Sequence, residues 1–197
     1  MAVGRICTGF SKPYFAIYGE SQISGTWVNT YSNAEKLARG VSVSIEPESS
    51  DSNEFFADNG MGESDAVRFT GGDLNLTVDG LGRVAERFIM GAPMIGSWIT
   101  YIDTQNPPLV GVGFIARYQS DGATTYVPIL IRKCRFNLLS TSAETQEETI
   151  NWQTQELTAK ILKVNGTGEW KRVGKDCATE KEAENKIRGW FNLQPLT

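Results

Sequence analysis

Histidine is missing from all 197 residues. Without imidazole there is no Ser-His-Asp triad, no Cys-His pair and no histidine ligand for a metal. Catalysis would have to rest on carboxylates, other side chains or a cofactor; the expectation is a protein that is not an enzyme and uses neither cofactor nor metal. Cysteine is nearly as scarce. Cys7, Cys134 and Cys177 are odd in number, far apart and form no C-x-x-C pair, which argues for three reduced thiols, with Cys134 in a strand core, over a disulfide framework. No apolar run approaches the roughly 20 residues that span a bilayer. The opening MAVGRICTGFSKPYF carries no long apolar stretch of the kind a signal peptide needs. The expectation is a chain made in a cytoplasm with no membrane span, in which the N-x-T sequons at Asn75 and Asn165 carry no glycan.

Charge is present but unevenly placed. The stretch IEPESSDSNEFFADNGMGESD (Ile45–Asp65) holds Glu46, Glu48, Asp51, Glu54, Asp58, Glu63 and Asp65, with no lysine or arginine. The chain as a whole is net −4, with 23 acidic and 19 basic residues; outside this stretch it is net positive. An EF-hand loop begun at Asp51 fails: Asn53 at position three is acceptable, but Phe55, Phe56 and Gly62 stand at positions five, six and twelve. Nor do clustered surface carboxylates by themselves mark acid–base catalysis.

What is plentiful is strand and turn chemistry. Glycine is frequent (20 residues), and Thr, Val, Ile and aromatics recur in runs. In GVGFIARYQ (Gly111–Gln119), Val112, Phe114, Ala116 and Tyr118 share a face by period two. Ser120-Asp121-Gly122 then turns the chain into a return strand, TTYVPILIRKCRFNLL (Thr124–Leu139), whose Pro128 must lie at an edge or a bulge because it lacks a ladder donor. Further strands are expected at Tyr14–Gly19, Gly25–Tyr31, Gly40–Glu46, Asp73–Asp79, Trp98–Asp103 and Glu156–Val164. Two helices are expected. In DGLGRVAERFIMGAP, Leu81, Val84, Ala85, Phe88 and Ile89 recur at helical spacing, with Asp79 as N-cap and Gly91 and Pro93 as terminators. TEKEAENKIRGWFNL opens on the capping box Thr179-x-x-Glu182 and would bury Ala183, Ile187, Trp190 and Phe191. The expected class is β-rich α+β, an antiparallel sandwich or barrel with one flanking helix, a second short helix and a long hairpin loop.

Two motifs mislead. Gly80-Leu81-Gly82-Arg83-Val84-Ala85 matches G-x-G-x-x-A, with Asp103 at a dinucleotide-like distance. The preceding DLNLTVD alternates as a half-exposed antiparallel strand does, and no further βαβ unit follows. The basic run Arg132-Lys133-x-Arg135 is far short of a nucleic-acid footprint in a chain of pI near 5.0; it reads as a solvated or partner-facing strand end.

An ordered set of segments carries a resemblance: SKPYFAIY (Ser11–Tyr18), VSVSIEPESSDSNEFFADNG (Val41–Gly60), GGDLNLTVDGL (Gly71–Leu81), GVGFIARYQSDGATTYVPILIRKCRF (Gly111–Phe136), ETINWQTQELTAKIL (Glu148–Leu162) and WKRVGKDCATEKEAENKI (Trp170–Ile187). Together they resemble the major tail tube proteins of long, non-contractile-tailed bacteriophages, particularly those of Gram-positive hosts. Met90–Pro108 and the N-terminal MAVGRICTG match no part of that pattern. The resemblance implies one tail-tube domain over positions 1–197, with an extended loop at about 46–65 and a C-terminal helix at about 179–191. It implies a virion protein, made in the bacterial host cytoplasm, that assembles with itself into stacked sixfold rings. The tape-measure protein would occupy the lumen, tail terminator and tail-tip proteins would cap the tube, and DNA would pass without specific binding. A net-acidic subunit suits such a passage, since each cation on a phosphate adds favourable counterion release and so friction.

Within that frame the acidic stretch reads as an assembly loop. Glu46, Glu48, Asp51, Glu54, Asp58 and Glu63 would meet basic residues of a neighbour such as Lys133 or Arg135, while Phe55 and Phe56, out of place in a purely solvating loop, would be buried there. The alternatives are the tube of a contractile injection machine, a β-sandwich carbohydrate- or ligand-binding module using Trp27, Trp98, Trp152 or Trp170, and, last, a carboxylate-dependent hydrolase. Burial in the core is the simpler account of those tryptophans.

Overall fold

The computed structural model describes residues 4–51, 54–57, 60–64, 66–145 and 152–196, of which 54–57 and 60–64 are described by their backbone. In chain order the elements are β1 (Ile6–Ile23), β2 (Thr26–Lys36), β3 (Gly40–Ser49), β4 (Glu54–Ala57), β5 (Gly60–Ser64), β6 (Phe69–Val78), α1 (Arg83–Met90), β7 (Met94–Ile95), β8 (Trp98–Ile99), β9 (Leu109–Ser120), β10 (Ala123–Phe136), β11 (Gln155–Ile161), β12 (Lys171–Val173) and α2 (Glu180–Trp190). The large sheet runs β2-β1-β9-β10-β11-β6-β3, with β12 also paired to β10, and its pairs are antiparallel. The class is therefore α+β and β-rich: an antiparallel β-sandwich with a flanking helix.

Alternation builds the core. Val110, Val112, Phe114 and Ala116 of β9 join Val127, Ile129 and Ile131 of β10 on one face. Leu74, Leu76 and Val78 of β6 and Leu157, Ala159 and Ile161 of β11 pack onto them as the sheet folds over, and Ala85, Ile89 and Met90 of α1 join the same cluster. Fully burying a Phe, Leu or Ile contributes about 1.5–3 kcal/mol, so this cluster is the main stabilising mass. The hairpin between β9 and β10 closes on Asp121-Gly122, both at positive φ (47° and 78°), as a two-residue turn requires. Pro128 faces the expected irregularity: β12 pairs Val173 with Ile129, and the ladder resumes only at the Tyr126–Cys177 bridge, with an extra residue on the partner side.

The other face of β1, β9 and β10 is covered by α2. Thr179 caps that helix, its hydroxyl accepting from the Glu182 amide at 3.2 Å, and Ala183, Ile187 and Phe191 bury against Tyr14, Ala16, Ile115 and Leu130. Trp190 is half-buried. Close approach depends on Gly111 and Gly113. A Cβ at Gly113 would lie 2.7 Å from Ile187 Cγ2 and 2.8 Å from Leu130 Cδ2, and one at Gly111 would lie 2.5 Å from the Tyr31 ring. A polar network completes the docking. Glu184, 5% exposed, accepts from the Tyr14 hydroxyl at 2.7 Å and pairs with the Lys12 ammonium at 3.1 Å. Lys12 sits at φ 53° in a β-bulge of β1 to make that contact.

Several details differ from the sequence reading. Asp79 does not cap α1: its carboxylate accepts from the Arg39 amide at 2.9 Å, and Gly82 occupies the N-cap with no side-chain bond. Gly91 does end α1, in the left-handed region at φ 61° and ψ 26°. Val84 is exposed while Met90 is buried, although Ala85, Phe88 and Ile89 face the core as the spacing implies. The expected strand Trp98–Asp103 shrinks to Trp98–Ile99, paired with Met94–Ile95 in a small separate hairpin. Cys134 is buried with the core side chains of β10, and burial pushes its thiol far above the ordinary range.

Gly113→Val is expected to lower stability by about 1–3 kcal/mol through overpacking under α2, read as a lower urea midpoint. The Glu184 carboxyl supplies a second expectation. Burial raises its pKa, but the Tyr14 hydroxyl and the Lys12 ammonium lower it by more, so it titrates below its usual range. A group whose pKa falls on folding stabilises the fold above its unfolded pKa, about 4.3, and loses that contribution as pH drops through the folded value. Urea denaturation at pH 7 and pH 3 should therefore show an acid loss of stability that is shallower in Glu184→Gln, which itself costs about 1–3 kcal/mol at pH 7.

Candidate assembly surfaces

The acidic stretch divides into two parts. Glu46 and Glu48, read from sequence as the start of a loop, belong to β3, which runs on to Ser49 and pairs with β6 as far as Phe69. The ladder continues one step beyond, where the Ser50 amide donates to the Arg68 carbonyl at 2.8 Å. β4 and β5 then form a hairpin of their own, paired with each other in a two-stranded sheet separate from the large one. Long loops are replaced by paired backbone wherever partners exist, because unpaired amides are costly. Asp58 lies outside the described residues, as do the side chains of Glu54, Phe55, Phe56 and Glu63; Asp51 is exposed.

Register explains what Glu46 does. Arg135 of β10 stands opposite Lys160 of β11, Lys160 opposite Asp73 of β6, and Asp73 opposite Glu46 of β3. The four charges form one row across the solvent face of the subunit's own sheet. Lys160 binds Asp73 at 2.8 Å and reaches Glu48 at 3.7 Å, and Glu46 accepts from the Asn75 amide nitrogen at 3.4 Å. Exposed pairs of this kind stabilise by roughly 0–1 kcal/mol each. Glu46 and Glu48 thus serve their own sheet.

The two basic residues expected to receive the loop part company. Lys133 is buried (6% exposed) and donates to Glu20 at 2.8 Å. Glu20 also accepts from Asn165 at 3.0 Å and from the Tyr18 hydroxyl at 3.0 Å. Burial raises the Glu20 pKa, but Lys133 and Tyr18 lower it further, to below the ordinary range. Lys133 is therefore a fold residue and not a free partner for a neighbour. The cause is a β-bulge: the register shifts between Ile131 and Cys134, so Arg132 and Lys133 both oppose Gly111 and both turn toward the α2 side of the sheet. Arg132 pairs there with Glu169 and lies 5.3 Å over the Trp190 ring. Arg135 is exposed and has no ion pair among the described residues.

Two surfaces were not legible as sites. β2 and β3 are the end strands of the large sheet, and among the described residues each pairs on one side, an arrangement of the kind that templates pairing with another chain. The second is the region of α1 and β7–β8, where Val84, Met94, Ile95, Trp98, Tyr101 and Ile102 are each about half exposed or more and a cleft is lined by Arg83, Glu86, Ser97, Trp98, Ile99 and Tyr101. Its signal in the sequence was the absence of any polar alternation in Met94–Ile102.

The tryptophans also divide. Trp170 stacks on Phe69 at 4.3 Å and packs against the core, whereas Trp98 is 76% and Trp152 84% exposed. Core burial does not account for those two. Among the described residues no three Asp, Glu or Cys side chains converge as metal ligands would, and no helix is long and apolar enough to cross a membrane.

Among the described residues these features define a β-sandwich whose sheet ends in β2 and β3, a separate β4–β5 hairpin and a cleft beside α1. A scan of known protein families finds no match to the chain, and a search of curated proteins finds none either.

Lys133→Met should lower stability by about 1–3 kcal/mol, since it leaves the Glu20 carboxylate without its cation. A thermal melt checks this; unchanged stability would return Lys133 to the list of surface partners.

Proposed function

We propose that this chain is a structural virion protein of a bacteriophage tail, assembling with itself into stacked rings, sixfold by the resemblance, that form the tube through which DNA leaves. It is not an enzyme. Its partners in this reading are further copies of itself, a tape-measure protein in the lumen, and terminator and tip proteins at the ends of the tube.

One observation supports the self-assembly: among the described residues, β4 and β5 pair with each other and with no other strand. An isolated two-stranded hairpin is at best marginally stable in water, so its ordering is best supplied by a second molecule. The one-sided pairing of β2 and β3 supports the same reading, because closing strands between subunits removes edges that would otherwise aggregate. The ordered resemblance of Ser11–Tyr18, Gly71–Leu81 and Gly111–Phe136 to tail tube proteins supplies the biological setting.

Negative-stain electron microscopy of the concentrated protein, alone and co-expressed with tail-tip proteins, is expected to show rings or tubes. Deleting Ser50–Met61 should leave a folded monomer that forms neither. Tubes of normal appearance from that deletion would remove the hairpin from assembly. Monomers under every condition, together with saturable glycan binding, would favour the sugar-binding alternative, for which the exposure of Trp98 and Trp152 speaks.

A further inference from the structure

Local geometry builds the cleft beside α1. The turn Gly96-Ser97, with Gly96 at φ 61°, folds β7 back on β8, and the Thr100 amide donates to the Pro93 carbonyl at 3.0 Å. The Arg83 guanidinium donates to the Ser97 carbonyl at the hairpin tip. One turn further along α1, Glu86 accepts from the Tyr101 hydroxyl. The cleft so framed measures about 460 Å³ and is lined by Arg83, Glu86, Ser97, Trp98, Ile99 and Tyr101. We propose that it is a saccharide-binding site, and that its ligand is a neutral pyranose of an oligosaccharide.

The lining has the two halves that such a ring needs. A pyranose presents one face of polarised C–H bonds and a rim of hydroxyls, each able to donate and to accept. Trp98 is 76% exposed, and the negative face of an aromatic ring attracts C–H groups of this kind. The rim finds its partners on α1. Tyr101 occupies one oxygen of the Glu86 carboxylate, and the other carries no bond among the described residues, which leaves it to accept from a sugar hydroxyl. Arg83 commits one amino group to Ser97 and keeps its remaining N–H donors. A few convergent polar groups beside apolar and aromatic walls are the usual composition of a small-ligand site. The two pinning bonds hold these groups before the ligand arrives, which lowers the ordering cost of binding.

Charge and size select among ligands. One cation and one carboxylate line the cleft, so their charges cancel and an anion gains no net attraction. Burial together with Glu86 pushes the Tyr101 pKa up to about 12, so the phenol keeps its proton and its bond to Glu86 at neutral pH. β7 and β8 are two residues each, too short for a peptide to extend the sheet by strand addition.

The inference goes beyond the tube reading and applies to a monomer as well as to a ring. Calorimetric titration of the full-length protein with maltotriose, cellotriose and chitotriose tests it. At least one is expected to bind saturably, with Kd of about 1 mM or tighter, and to shift the Trp98 emission to the blue. Trp98→Ala should remove that shift and weaken binding by about tenfold or more. Glu86→Gln, a poorer acceptor, should weaken it several-fold. Trp152→Ala, outside the lining, should leave it unchanged. Trp98 is exposed, so the fold should survive its loss, and an unchanged thermal melt verifies this.

No binding of any of the three sugars, or binding that Trp98→Ala leaves unchanged, would overturn the site and leave the tube reading intact. Binding confined to trigalacturonate, titrated beside them, would assign the cleft to an anion held by Arg83 and overturn the proposal. Self-association that Trp98→Ala abolishes, with no sugar bound, would assign the cleft to protein contact and likewise overturn it. Sugar binding by a chain that never forms rings would uphold the site while the tube reading fails.

Discussion

Everything in this fold leans on the β9–β10 hairpin being buried on both faces. Its inner side chains, from Val112 and Phe114 to Ile129 and Ile131, hold the two layers of the sandwich together. Its outer face accepts α2 only because Gly111 and Gly113 present no Cβ where Ile187, Phe191 and Tyr31 need the space. Close packing of this kind tolerates little change in volume. The two-residue turn at Asp121-Gly122 sets the register, and the register decides which side chains face inward along both strands.

One irregularity in that hairpin redistributes the charge of the molecule. The bulge at Arg132 and Lys133 turns two consecutive cations to the same side, where Glu169 and Glu20 neutralise them. Beyond the bulge the alternation resumes, and Arg135 joins the charged row that crosses β11, β6 and β3 in the open. The sheet is thus covered where α2 lies on it and polar where it is not. Beyond the β3–β6 ladder, β4 and β5 form a hairpin that, among the described residues, pairs with itself. In the proposed assembly, the edges at β2 and β3 are where a second copy would pair.

Much of this was legible in the sequence because it depends on neighbours in the chain. Period-two alternation located most of the large-sheet strands, Thr179 and Glu182 announced α2, and Gly91 ended α1. The failures are as informative. Asp79 was well placed to cap α1 but found the Arg39 amide, a long-range partner with no local signal. Trp98–Asp103 carried strand-forming residues but no strand of the large sheet lay beside it, so only Trp98–Ile99 pairs. Lys133 looked like a surface cation because a bulge cannot be seen in a run such as Ile131–Cys134; without the extra residue, alternation would have pointed Lys133 and Cys134 to the opposite faces. Glu46 and Glu48 looked like loop residues because charge and Pro47 obscure a strand whose pairing is supplied entirely by β6.

The sequence by itself determined the class, the hairpin turn, the helix ends and the concentration of carboxylates around two phenylalanines, since these follow from backbone propensity and local spacing. Tertiary structure alone decided which cations remain free, which tryptophans meet solvent and which strands end the sheet. Those depend on register and on contacts between residues more than a hundred positions apart, such as Glu20 with Lys133 and Tyr14 with Glu184. The acidic segment shows the division most plainly. Its composition was evident from the chain, but that part of it serves its own sheet and part stands apart as a hairpin was settled by where β6 happened to pair.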